Sequence, residues 1–304
     1  MNLDLIVFIK SSGPNVNLEN LKDTLVSFYE KNKDVNYKIY LVVDGGLINF
    51  VKSLFEDTIG TDKLLDLVVA NDRTWAENFN KFLDEHGDSS EWLLISHDDV
   101  LYVTDDYFRK MTRPVSNKQD TIGWMTSTSE QYIKNMGKLA VDTFRPGHYK
   151  DHDNWPLMFQ IHRGSVDELD YPEKPVQIHG IMSAVMLIPM KSMKKVGYCE
   201  NWSPYTMLID EDWSLRALEN NLKNVWIPDV HHLHPIRPEK RKVWNRFDEQ
   251  CQDAFQKKWG FRTGKNEGTQ GCSIDLDEFR DKFKGTLIPW SSYRNSYDWE
   301  YIDG

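Results

Sequence analysis

The sequence predicts an α/β protein built on a mostly parallel central sheet. Two observations carry that prediction. Short apolar runs alternate with amphipathic stretches through the first hundred residues, and the apolar runs end in acidic turns. A continuous apolar run marks a strand buried on both faces, and repeated strand–helix–strand units imply parallel pairing through right-handed crossovers.

Leu3–Ile9 (LDLIVFI) is the first strand by this criterion. Leu18, Leu21, Leu25 and Phe28 share one helical face behind Asn17, a residue type suited to cap a helix start. Tyr37–Val43 (YKIYLVV) is the second strand and runs into Asp44-Gly45-Gly46. Leu47, Phe50, Val51, Leu54 and Phe55 stripe a second helix, and Leu64–Ala70 (LLDLVVA) is the third strand. Trp75, Phe79, Phe82 and Leu83 stripe a third helix that stops at Gly87. Trp92–Ser96 (WLLIS) is the fourth strand and leads straight into His97-Asp98-Asp99. Ligands of such sheets bind beyond the carboxyl ends of the strands, so Asp44 and His97-Asp98-Asp99 are expected to line one cleft.

The second half is less regular. Thr121–Thr128 (TIGWMTST) reads as a strand, whereas residues 129–176 are rich in His, Asp, Pro and aromatics with no clean period. That stretch is too long for an ordinary connection and is expected to be an inserted substrate loop or lid. Gln177–Pro189 reads as a strand, Glu211–Leu222 as a helix with Leu215, Leu218 and Leu222 on one face, and Asn224–Ile227 as a short strand. Pro228 and the cluster His231-His232-Leu233-His234 follow, in what reads as a loop. Residues 238–259 are polar and helical, and 287–304 form an aromatic, acidic tail.

Composition narrows the function classes. An apolar content of 40% over 304 residues supports a real core and excludes a disordered or collagen-like chain. Lys and Arg number 37 against 47 Asp and Glu, a net charge of −10, which opposes a broad phosphate-binding surface and leaves no strong nucleic-acid signal. The basic runs Lys191–Lys195 and Arg237–Lys242 are short enough to be solvated surface. Cys199, Cys251 and Cys272 are odd in number and lack CxxC spacing, which speaks for a reducing compartment. The longest apolar run, Ile181–Met190, has ten residues where a bilayer needs about 20. With no leader pattern at the N-terminus, the expectation is a soluble, cytoplasmic protein, with docking at a membrane surface left open.

Three clusters carry chemistry. A carboxylate pair at a strand end, as in His97-Asp98-Asp99, either holds a divalent cation whose other ligands come from phosphates or forms an acidic turn capping the next helix near Thr104. Asp210-Glu211-Asp212 opens a helix, where acids serve as dipole partners; their mutual repulsion also suits one of them to general-base work. The histidines after Pro228 are either surface residues or metal ligands.

Together these clusters resemble a glycosyltransferase of the GT-A fold, close to the inverting family-2 group. The resemblance runs from about residue 3 to 259. Its residues are the strand ending in Asp44, Asn71–Asn80 (NDRTWAENFN), LLISHDDVL, Gly180–Pro189 with Val196-Gly197, IDEDWSLRALENNLKNVWIPDVHHLH and FQKKWG. The stretch Glu211–His234 is the most specific: an acidic pair, a Leu/Arg helix, a short strand, a Pro, and a His six residues beyond it.

The resemblance implies a GT-A domain over residues 1–260, with a nucleotide-sugar-binding half at about 1–115 and an acceptor half at about 116–260 containing the 129–176 insert; 261–304 is a tail. It implies an inverting, metal-dependent transferase acting on a nucleotide-diphosphate sugar. The Gln-x-x-Arg-Trp motif and membrane helices of processive members are missing, which implies one sugar per encounter. Position by position, Asp44 would bind the nucleotide base or ribose, with Asn80 and Asp98 also on the donor. His97 and Asp99 stand at the family's Asp-x-Asp and, with His234, would hold Mn²⁺ or Mg²⁺. Asp212 would deprotonate the acceptor, with Glu211 as its acidic partner. Two departures stand out: His97 replaces the commoner Asp, and Gly-Gly rather than a second Asp follows Asp44. A UDP-sugar is the donor the family favours, and the acceptor is a glycan, a lipid-linked sugar, a protein or a modified-nucleobase hydroxyl. Trp155 and Trp202 are candidate sugar-stacking residues, while Trp75 and Trp92 read as core. The alternatives are a catalytically silent nucleotide-sugar-binding relative and a metal-dependent phosphohydrolase.

Overall fold

A computed structural model describes residues 3–12, 16–71, 73–133, 138–139, 174–178, 181, 184–202, 208–235 and 248–260. Most of the expected lid, the 261–304 tail, Trp155, Cys272 and the Arg237–Lys242 run lie outside these. The first half alternates as the sequence predicts: β1 (Leu3–Ser11), α1 (Leu18–Lys31), β2 (Tyr37–Val43), α2 (Ile48–Leu54), β3 (Leu64–Val69), α3 (Trp75–His86) and β4 (Ser90–Ser96). Then come β5 (Leu101–Tyr102), α4 (Tyr107–Thr112), β6 (Ile122–Ile133), β7 (Lys138–Leu139), β8 (Val176–Ile178) and β9 (Val185–Pro189). The last elements are α5 (Met190–Val196), α6 (Ile209–Glu219), β10 (Lys223–Pro235) and α7 (Asp248–Trp259).

The described strands form one ten-stranded sheet in the order β3-β2-β1-β4-β9-β6-β10-β5, with β7 on β6 and β8 on β10. β1, β2, β3 and β4 pair in parallel, as do β6 and β10. β9 runs against both β4 and β6. The carboxyl ends of β1, β2, β4, β6 and β10 therefore share one edge of the sheet.

Period-two alternation sends each strand's side chains into two separate cores. Leu5, Val7 and Ile9 of β1 pack with Leu21, Leu25 and Phe28 of α1, while Ile6 and Phe8 pack with Phe79 and Phe82 of α3 and Trp213 of α6. β2 and β4 divide in the same way. This two-sided burial is why the sequence of these strands is apolar without alternation. Phe8 meets Phe79 edge-on at 5.1 Å, Phe79 meets Trp213 at 4.9 Å, and Trp213 stacks on Trp124 at 4.9 Å. These rings tie the first-half helix α3 to the second-half helix α6 beneath the sheet. Trp92 is core, as expected, and Trp75 is partly buried against the same rings.

Local chemistry fixes the helix starts. The Asn17 side chain accepts from the amides of Glu19 and Asn20, the expected cap. Thr74 and Glu77 form a capping box at α3, whose hydrogen bonds hold the Glu77 carboxyl below its usual pKa.

Four expectations need correction. Gln177–Pro189 is two strands: β8 pairs with β10, whereas β9 inserts between β4 and β6. β6 continues past Thr128 to Ile133, so the first residues assigned to the 129–176 insert belong to the sheet. The α6 helix starts at Ile209 and ends at Glu219, with Leu222 buried beyond it. The predicted short strand and His-rich loop form the single strand β10, its register shifted between Ile227 and His231 where Pro228 and Asp229 fall. A bulge absorbs residues that cannot hold ladder register, so the strand resumes beyond it.

Candidate functional site

The site assembles at the shared carboxyl edge. β4 ends at Ser96 and the chain turns through His97-Asp98-Asp99. β10 runs alongside β5 with His232 opposite Tyr102 and Leu233 opposite Leu101, which carries His234 to the turn. His234 Nε2 lies 3.3 Å from Asp99 Oδ1, and His97 Nδ1 lies 3.9 Å from the same oxygen. The His97 and His234 rings meet at 5.4 Å. One donor atom from each of the three lies within 4.8 Å of the other two.

This geometry suits one cation. Donors held at about 2.1 Å from a metal sit about 3–3.5 Å apart when cis or tetrahedral, so small rotations of exposed His97 close the set around buried Asp99. Two imidazoles favour a transition metal over Mg²⁺. The sequence reading named these three residues; two lie in the turn after β4 and the third on β10. The chain does turn at Asp98-Asp99, as the competing reading expected, but α4 begins at Tyr107 rather than at Thr104, whose Oγ1 accepts the His231 amide at 2.8 Å. His232 faces inward, its Nδ1 2.7 Å from Ser127 Oγ. Another three-donor group, Asp66, Glu85 and His86, lies on the surface at β3 and the end of α3.

Asp98 parts company with Asp99. Its carboxylate accepts from Ser11 Oγ at 2.7 Å, tying the turn after β4 to the end of β1. Asp44 follows β2 at the same edge, half-buried. Lys10 stands nearby at the end of β1 and donates to Arg73 O at 3.2 Å. Burial lowers the Lys10 pKa, while Asp44 and Glu77 oppose that shift. Lys10 escaped the sequence reading, although a lone cation ending an apolar strand marks a cleft-edge position.

Asn80 bonds the backbone after α5. Its Nδ2 donates to Cys199 O at 2.9 Å and its Oδ1 accepts the Cys199 amide at 2.7 Å. The amide therefore staples α3 to the segment after α5.

Asp212 sits in the first turn of α6 with Asp210 and Glu211, where the helix dipole favours carboxylates. Its side chain is 1% exposed. Arg216 Nη2 reaches Asp212 Oδ2 at 2.7 Å from one helical turn on, and Arg216 Nη1 is itself fixed to Val196 O at 2.7 Å. Two residues of α7 take the other oxygen: Lys258 Nζ at 2.8 Å and Trp259 Nε1 at 2.9 Å. Glu211 is also buried, and Asp210 is half-buried. The sequence singled out FQKKWG but assigned it no contact, because a partner 47 residues away leaves no local pattern.

No family model matches the sequence, and no curated protein does. The fold has clear counterparts among solved structures. GalNAc-T7, solved with UDP, GalNAc and Mn²⁺, superposes with a TM-score of 0.57 at 11% identity, covering 97% of this chain and 56% of that one. A mannosyltransferase from Pyrobaculum calidifontis, PcManGT, solved with GDP-Man and Mn²⁺, superposes with a TM-score of 0.56 at 14% identity, covering 87% of this chain and 66% of that one. The architecture is the GT-A fold. This chain spans little more than half of the first counterpart and about two thirds of the second. No described helix is long and apolar enough to cross a membrane.

Proposed function

We propose that the protein is a glycosyltransferase that moves one sugar per encounter, with inversion, from a nucleoside-diphosphate sugar to an acceptor hydroxyl. The observation that carries this reading is the His97–Asp99–His234 group at the carboxyl edge of a GT-A sheet. Both counterparts were solved with Mn²⁺ and a nucleotide, and the two-imidazole, one-carboxylate donor set suits that ion. A bound divalent cation would neutralise the charge that develops on the diphosphate as the sugar leaves.

The chain's own residues then divide the work. His97, Asp99 and His234 would hold the ion, and Asp98, fixed by Ser11, shapes the turn that carries His97 and Asp99. Asp44 and Lys10 border the donor end of the edge, Asp44 towards the base or ribose and Lys10 towards negative charge. Asp212 is the base. Its Oδ1 takes the acceptor hydroxyl proton while the acceptor oxygen bonds the anomeric carbon. The bond from that carbon to the phosphate oxygen breaks, and its electron pair leaves with the diphosphate. The donor is a UDP-sugar in this reading, the site is cytoplasmic, and the acceptor is a glycan, a lipid-linked sugar or a protein.

Release of nucleoside diphosphate from a panel of nucleotide sugars with Mn²⁺, with and without mixed glycan acceptors, tests the activity. Release that Asp99→Ala abolishes supports the proposal. The covering of Asp212 favours one second reading, a nucleotide-sugar binder without turnover; metal-dependent binding with no release under any condition selects it.

A further inference from the structure

We infer that the end of α7 occupies the acceptor position, with the Trp259 indole N–H standing where the acceptor hydroxyl donates to Asp212. The inference rests on the reading of Asp212 as the base. A base must come within hydrogen-bond reach of the proton it takes, and Asp212 is 1% exposed. The two groups that cover it differ in kind. Arg216 belongs to α6 and is tied to the end of α5, so it stays with the carboxylate whatever α7 does. Lys258 and Trp259 come from the last turn of α7 and converge on one oxygen, Oδ1. Withdrawing them leaves Oδ2 held and oriented by Arg216 and turns Oδ1 to the space they vacate.

The indole imitates the acceptor: its N–H donates to Oδ1 at 2.9 Å, within the range at which a sugar hydroxyl would donate. Lys258 adds a charge-assisted bond to Oδ1 and a second to Glu200 at 2.7 Å. Its ammonium lies 5.7 Å from the centre of the Trp202 ring. Trp202 meets Phe255 of α7 at 5.9 Å, and its carbonyl accepts from Gln250 at 2.9 Å. The acceptor subsite is therefore floored by Asp212, walled by Trp202 and Glu200, and closed by α7. While it is closed, the base is shut off from water. An acceptor carrying vicinal hydroxyls enters by replacing the Lys258 and Trp259 donors.

Cys251, buried on α7, reports the lifting of that helix, and the denaturant midpoint of each variant serves as the control for global loosening. Thiol alkylation of the full chain is followed by peptide mass spectrometry in wild type, Trp259→Phe, Lys258→Met and Asp212→Asn. Trp259→Phe keeps an aromatic ring and loses the N–H together with the five-membered half of the indole. Trp259→Phe and Lys258→Met each remove a donor to the Asp212 carboxylate, and Asp212→Asn removes the charge those donors meet, so Cys251 should react about tenfold faster, beyond what any fall in global stability accounts for. Acceleration no larger than the lost global stability accounts for overturns the inference, as does an unchanged Cys251 rate in all three variants. With a nucleotide sugar and Mn²⁺ but no acceptor, Trp259→Phe should also raise donor hydrolysis severalfold over wild type. Faster Cys251 labelling in variants that bind no nucleotide sugar would support the mobile cover but sink the transferase reading, so the two failures are distinguishable.

Discussion

Asp98 and Asp99 are adjacent in sequence and separate in task. Asp99 is buried against two imidazoles, whereas Asp98 is tied to Ser11. Asp99→Asn should therefore abolish Mn²⁺ binding, read by electron paramagnetic resonance, while Asp98→Asn retains it. Loss in both would mean that the turn itself, not one carboxylate, makes the site. Asp212→Asn keeps shape but cannot accept a proton. Transfer should fall by roughly 10²–10⁴-fold with donor affinity nearly intact, the usual range for a lost general base. Near wild-type transfer by this variant would move the base to Asp210 or Glu211. Asn80, which the sequence reading put on the donor, ties α3 to the Cys199 backbone. Asn80→Ala should lower unfolding stability by about 1–3 kcal/mol through the unpaired Cys199 backbone, read as a shifted denaturant midpoint at constant m. An unchanged midpoint contradicts the staple.

At the scale of elements, the close approach of β6 and α6 rests on Gly123. A Cβ there would stand 2.9 Å from both Ala217 Cβ and Asn224 Oδ1. Asn224 Oδ1 accepts the Trp124 amide at 3.1 Å, and its Nδ2 donates to Ser214 O at 3.1 Å, so neither neighbour gives way cheaply. Gly123→Val should cost about 1–3 kcal/mol or more by overpacking, seen as a lower melting temperature; a variant as stable as wild type would show that the two elements slide apart freely. Such contacts explain what was legible in the sequence. β1, β2 and β4 are apolar on both faces, so their positions follow from composition alone. β10 was cut short because Pro228 and Asp229 end any local strand pattern, and only its partner β6 carries it onward. β8 and β9 read as one strand because their different neighbours in the sheet leave no mark on the chain between them.

For the whole molecule, the parallel α/β sheet was legible from alternation, and the meeting of His97 and Asp99 with His234 followed from the family resemblance. The cover over Asp212 was not legible, since it depends on a helix far along the chain docking by two side chains. Both halves contribute to one sheet edge, the first supplying His97 and Asp99 and the second His234. The central claim is that this joint site binds a nucleoside-diphosphate sugar through a divalent cation. The most direct test is the thermal shift of wild type and Asp99→Ala with UDP- and GDP-sugars, each with Mn²⁺ or with EDTA. A ligand present at 100 times its Kd should stabilise the wild type by about 2.7 kcal/mol, with Mn²⁺ only, and the variant not at all. Equal stabilisation in EDTA, for wild type and variant alike, would contradict the account.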